Sequence, residues 1–75
     1  MSYNEQHISN IKQIYSKGTR IKLNYMHDKW PVPSGTCGTV MFVDDAGTIH
    51  VKWDNGSSLG LIYGEDSFEV IKDGI

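Results

Sequence analysis

The stretch that decides the fold is Val43-Asp44-Asp45-Ala46-Gly47-Thr48-Ile49-His50-Val51-Lys52-Trp53-Asp54-Asn55-Gly56-Ser57-Ser58-Leu59. Within it Ile49, Val51 and Trp53 alternate with Thr48, His50 and Lys52, the period-two pattern of a strand buried on one face. Turn-forming clusters bound that strand on both sides, Asp44-Asp45-Ala46-Gly47 before it and Asp54-Asn55-Gly56 after it, so it is the shared arm of two consecutive hairpins.

Register follows from matching apolar faces, because a slip of one residue turns core side chains to water. A four-residue first loop, 44–47, sets Phe42 opposite Ile49, Val40 opposite Val51 and Gly38 opposite Trp53. A large indole lying across bare backbone is a reason for glycine at 38. Asn55-Gly56 usually makes a two-residue turn, but that register pairs Leu59 with Lys52 and Leu61 with His50, and the faces conflict. A three-residue loop, 54–56, with Gly56 in the left-handed bulge position, pairs Leu59 with Val51 and Leu61 with Ile49, and is preferred.

Upstream, Ile21, Leu23 and Tyr25 share one face of a further strand and Arg20, Lys22 and Asn24 the other. Met26 to Gly35 holds both prolines, in Trp30-Pro31-Val32-Pro33, and reads as a long surface loop because proline lacks the ladder donor. Before Gly18, the steps between Ile8, Ile11, Ile14 and Tyr15 predict an amphipathic helix within 2–17. Ser2-Tyr3-Asn4-Glu5 caps it as a capping box, with Asn4 the alternative cap, and Lys17 and Gly18 stop it. Downstream, Gly64-Glu65-Asp66-Ser67 reads as a single 3₁₀ turn leading to a short last strand, Phe68 to Ile71. The fold class is mainly β: a small five-stranded SH3-like barrel over 18–71, preceded by one N-terminal amphipathic helix, in a single domain over 1–75.

Composition narrows the function. A 75-residue chain offers little volume for a deep catalytic cleft. Its formal net charge of -2, without a run of like charges, argues against nucleic-acid binding by counterion release. Cys37 is the single cysteine, so neither an internal disulfide nor a CxxC metal pair can form, and a reducing cytoplasm is expected. No apolar run reaches the length of a membrane span and no signal-peptide pattern opens the chain, so no membrane association is expected. His7, His27 and His50 sit on three elements without ligand spacing, and no metal or cofactor is expected. With no assembled nucleophile, base or metal set, the chain reads as a non-enzyme without catalytic residues.

The motif string Gly18-Thr19-Arg20-Ile21-Lys22-Leu23, Gly38-Thr39-Val40 and Val43 to Leu59 resembles an uncharacterised family of small domains from Gram-positive bacteria, their phages and conjugative elements. The match runs from Ile8 to about Phe68, and the family has no assigned biochemical role. A more distant likeness, limited to Gly18-Thr19-Arg20-Ile21, Gly38-Thr39-Val40 and Val51-Lys52-Trp53-Asp54-Asn55-Gly56, is to the SH3-like repeat of mind-bomb-type ubiquitin ligases, which binds peptide segments. The first resemblance implies a phage or mobile-element inhibitor or adaptor of a host protein; the second implies fold more than function.

The function expected from the residues is binding of a protein or extended peptide through Tyr25, Trp30, Pro31, Pro33, Asp54 and Asn55. Trp30 is the best contact residue, an indole placed in a loop by prolines, with the alternative that it folds back to plug the barrel. Tyr25 pairs with it at the loop mouth or lies in the core. Trp53 shares parity with Ile49 and Val51 and is read as core. Asp44 and Asp45 are neighbours that diverge into a turn, and Cys37 is a packed side chain. Met41, Val43 and Ile62 form an apolar second face, covered by the helix through Ile8, Ile11 and Tyr15, by a partner, or by a homodimer. Two other ligands stay open: a nucleotide or metabolite held by an oligomer, and a single-stranded nucleic acid stacked on Trp30 and Tyr25.

Overall fold

The computed structural model describes residues 5–71. In chain order it contains α1 (Glu5–Ile14), β1 (Arg20–Tyr25), β2 (Cys37–Val43), β3 (Thr48–Trp53), β4 (Leu61–Ile62) and β5 (Ser67–Val70). The predicted cap at Ser2 to Asn4 lies outside the described residues. The strands form one antiparallel sheet in the order β4-β3-β2-β1-β5. The sheet is open: β4 and β5 are its edges, and no ladder joins them among the described residues.

The β3–β4 hairpin has the predicted three-residue loop. Gly56 N donates to Trp53 O at 3.0 Å and Trp53 N to Ser57 O at 3.0 Å, and Gly56 takes a φ of 91°, a conformation only glycine adopts freely. Ile49 pairs with Leu61 as expected, but Leu59 does not pair with Val51. Its backbone is engaged elsewhere, the carbonyl accepting from Trp53 Nε1 at 2.8 Å and the amide donating to Ser57 Oγ at 3.3 Å. The ladder therefore stops short, and β4 has two residues.

The β2–β3 hairpin differs from expectation by one residue. Gly47 N donates to Asp44 O and Asp44 N to Thr48 O, each at 3.0 Å, so the loop is the three residues 45–47 and repeats the turn chemistry of the next hairpin. Phe42 consequently faces His50 and Val43 faces Ile49. A bulge at Met41 then restores the register, and Val40 meets Val51 and Gly38 meets Trp53 as predicted. Because a bulge adds one residue to one strand, Val43 becomes buried while Phe42 points outward, 54% exposed. A second irregularity falls between Leu23 and Tyr25 in the β1–β5 ladder. There Tyr25 leaves the inner face, and the next residue, Met26, is buried.

The core comprises Ile11, Ile21, Leu23, Met26, Val32, Val40, Val43, Ile49, Val51, Trp53 and Leu61. Ile11 belongs to this cluster, so α1 docks on the core side of the sheet rather than over Met41 as expected. Tyr15 packs edge-on against Phe68 at 5.3 Å and tilted against Tyr63 at 6.2 Å. Burial, and then the Tyr63 phenol, raise the Tyr15 pKa. Lys12 Nζ reaches Asp45 Oδ1 at 2.7 Å, tying the helix to the hairpin tip. Ile14 lies outside the buried stripe and is 56% exposed.

Candidate functional site

The chain between β1 and β2 has little regular structure, yet it is held along its length. Gly35 N donates to Leu23 O at 2.7 Å and Leu23 N to Thr36 O at 2.9 Å, closing the loop at its base. The Thr36 amide and hydroxyl both donate to Pro33 O, at 3.2 and 2.7 Å. Asp28 Oδ1 accepts the Trp30 amide at 2.9 Å, the Asx turn that aspartate favours. On the other flank the Asp66 carboxylate bridges two segments, accepting His27 N at 2.7 Å and Ile62 N at 2.8 Å. Met26 and Val32 point inward and are buried.

These anchors present Trp30, 78% exposed, together with exposed Pro31 and Pro33. Tyr25 is 58% exposed at the loop's entrance. Trp30 therefore does not fold back onto the core; from the same loop it is Met26 and Val32 that join it. Tyr25 is not core either.

Asp54 and Asn55 serve another part of the molecule. The Asp54 carboxylate accepts from Arg20 Nη1 and Nη2, at 2.9 and 2.7 Å, and Arg20 Nη1 also donates to Thr39 Oγ1 at 3.0 Å. The Arg20 hydrogen bonds hold the Asp54 carboxyl below its ordinary pKa. Asn55 Oδ1 accepts the Ser57 amide at 3.0 Å and shapes the turn. The six predicted contact residues thus fall into two groups, the loop aromatics and prolines in one, and the β3–β4 turn in the other.

Sequence reasoning missed the surface built on Phe42. Its ring stacks on His50 with centroids 4.3 Å apart and planes inclined by 11°. His50 Nε2 is 2.8 Å from Asp44 Oδ2, while Asp44 Oδ1 accepts the Ala46 and Thr48 amides at 3.0 and 2.9 Å. The His50 hydrogen bond, followed by the Thr48 amide, lowers the Asp44 pKa. A shallow groove of about 520 Å³ opens here, lined by Met41, Phe42, His50, Lys17, Lys52 and Ser57 among others. Four consecutive apolar residues, Val40-Met41-Phe42-Val43, cannot all satisfy a two-residue period, and that break was the available signal.

Asp44 and Asp45 do diverge, one into its own turn and toward His50, the other toward Lys12. Cys37 is a partly buried free thiol. No group of three or more His, Cys, Asp or Glu side chains among the described residues is placed to hold a metal ion. No helix among them is long and apolar enough to cross a membrane. A family profile described as Domain of unknown function (DUF4314) matches residues 4–71. No curated protein and no solved structure matches the chain.

Proposed function

The chain belongs to the DUF4314 family of domains of unknown function, and from that premise we propose that it is a non-catalytic interaction module whose β1–β2 loop grips a protein or an extended peptide. The observation that carries this reading is Trp30, 78% exposed on a loop fixed by backbone bonds and by the buried side chains on either side of it. An indole held out by a pre-ordered loop contributes contact area without a large ordering cost, which is why Trp dominates many interfaces. Pro31 and Pro33 stiffen the same segment, and Tyr25 offers a second ring at its entrance. Asp54 and Asn55 are left out of the grip because Arg20 and the turn engage them.

The SH3-like reading forms part of the proposal. It is supported by the meander from β1 to β4 and the return of β5 to β1, and by the aromatic side chains that the long loop between β1 and β2 exposes, the kind of surface on which proline-rich peptides dock.

A random displayed peptide library panned against the full chain tests the reading. Enriched peptides should perturb the Trp30 indole resonance, and Trp30→Ser should weaken them about tenfold or more while leaving the unfolding curve in place. Absence of enrichment, or peptides that bind Trp30→Ser as well as the parent, would refute it.

A further inference from the structure

The outer face of the β2–β3 hairpin carries a surface that the Trp30 loop does not use. The bulge at Met41 leaves two successive side chains, Met41 and Phe42, on the outside, 40% and 54% exposed. Lys17 is drawn alongside them because Gly18 N donates to Val40 O at 2.8 Å and Val40 N to Thr19 O at 2.9 Å. Lys52 flanks the groove from β3 and Ser57 from the turn beyond. Its exposed apolar side chains are Met41 and Phe42, and the groove lining includes two lysines and no carboxylate. The nearby acids are engaged, Asp44 by His50 and two amides, Asp54 by Arg20. On a chain of formal net charge -2, this is a local reversal of sign.

Sign and shape choose among occupants. α1 is docked on the opposite side of the sheet, with Ile11 in the core. A second copy placed face to face would bring the lysines of both grooves together without a carboxylate between them, a poor isologous contact. A nucleic-acid strand needs a track of cations, whereas Arg20, the neighbouring guanidinium, is held by Asp54. An apolar surface between two ammonium groups matches an apolar side chain between carboxylates. Phe42 is pre-ordered by its stack on His50, and Met41 can adapt to what lies on it.

We propose that this groove docks a short segment of a partner protein in which a bulky apolar residue is flanked by Asp or Glu. The apolar side chain lies on Met41 and Phe42, and the carboxylates pair with Lys17 and Lys52. The assignment does not rest on the Trp30 reading, and Trp30→Ser should leave it intact.

The test uses the full isotope-labelled chain titrated with a panel of synthetic peptides, each carrying Leu, Phe or Trp between acidic residues. Matched Lys-flanked peptides and an oligo-deoxythymidine are run in parallel. Acidic peptides should shift the Met41, Phe42, His50 and Lys52 amides, bind less tightly as salt is raised, and lose about tenfold or more in affinity in Lys17→Glu/Lys52→Glu. That variant should instead favour the Lys-flanked set. Both substitutions are at exposed positions, and unfolding curves confirm that the variant folds. The proposal is overturned if no acidic peptide shifts these amides, or if charge reversal leaves binding unchanged. It is equally overturned if the oligonucleotide binds this face more tightly than every peptide, or if the face instead mediates a dimer that Phe42→Ser abolishes.

Discussion

Replacing Gly38 with alanine tests the packing of the sheet where β2 backbone lies against the Val51 and Trp53 side chains. A Cβ built on Gly38 would stand 2.6 Å from Val51 Cγ1, 2.8 Å from Trp53 Cε3 and 3.1 Å from the Lys52 carbonyl oxygen. Val51 and Trp53 are 2% and 1% exposed, so neither can swing into water, and the third neighbour is backbone. Gly38 is not among the glycines with positive φ, so alanine meets no backbone penalty and should gain ~0.4–1 kcal/mol from a less flexible unfolded chain. Overpacking of this kind costs ~1–3 kcal/mol. With three close contacts we take the upper part of that range, giving a net loss of about 2 kcal/mol, or a Tm lower by ~8–16 °C for a domain of this size. Urea and thermal unfolding of Gly38→Ala, Val51→Ala and the double variant measure it. Val51→Ala removes the nearest clash, so the double variant should be more stable than the sum of the singles predicts, by about 1 kcal/mol. A Gly38→Ala protein within about 0.5 kcal/mol of the parent, or strictly additive singles, would refute the packing argument.

Ile11→Ala should destabilise the protein by ~2–4 kcal/mol. A ten-residue helix does not persist without its docking surface, so α1 amides should lose hydrogen-exchange protection before those of β2; uniform loss would contradict this. Asp44→Asn should cost about 1 kcal/mol near neutral pH by weakening the bonds to His50 and the turn amides. Because the Asp44 pKa is lowered on folding, the charge contributes stability above the unfolded carboxylate pKa of about 3.9 and loses it as pH falls through the lower folded value. The gap between parent and variant in pH-dependent melts should therefore narrow in acid, and a gap that widens would count against the assignment.

The sequence announced the β3–β4 hairpin because Asn55-Gly56 is a strong turn signal and only one loop length kept Leu61 on the side of Ile49. The same logic was available at Asp45-Ala46-Gly47, where Gly47 has a φ of 89°, but a four-residue loop also kept apolar faces together. A bulge resolves that ambiguity, and bulges leave little trace in hydrophobic pattern: Val43 and Phe42 are both apolar, and only packing decides which is inside. Tyr25 was ambiguous for the same reason. The prolines correctly suggested that Trp30 sits on a loop, while the buried anchors Met26 and Val32 could not be told from its exposed residues. Arg20 and Asp54 are 34 residues apart, and nothing local indicates that they meet.

The pairing of β5 with β1 has a consequence for how the chain is made. Val70 sits opposite Ile21, and Ile71 N donates to Arg20 O at 2.9 Å, so β1, made well before β5, waits for it before its outer edge is satisfied. The β1–β2–β3 portion can form from neighbours in sequence, but Leu23 keeps an uncovered flank until Phe68 arrives. Contacts of such long sequence separation slow folding and leave strand edges open meanwhile. Completion of the sheet is thus tied to synthesis of residues 67–71, and a nascent chain halted before Ser67 carries an unpaired β1 edge that the finished protein hides.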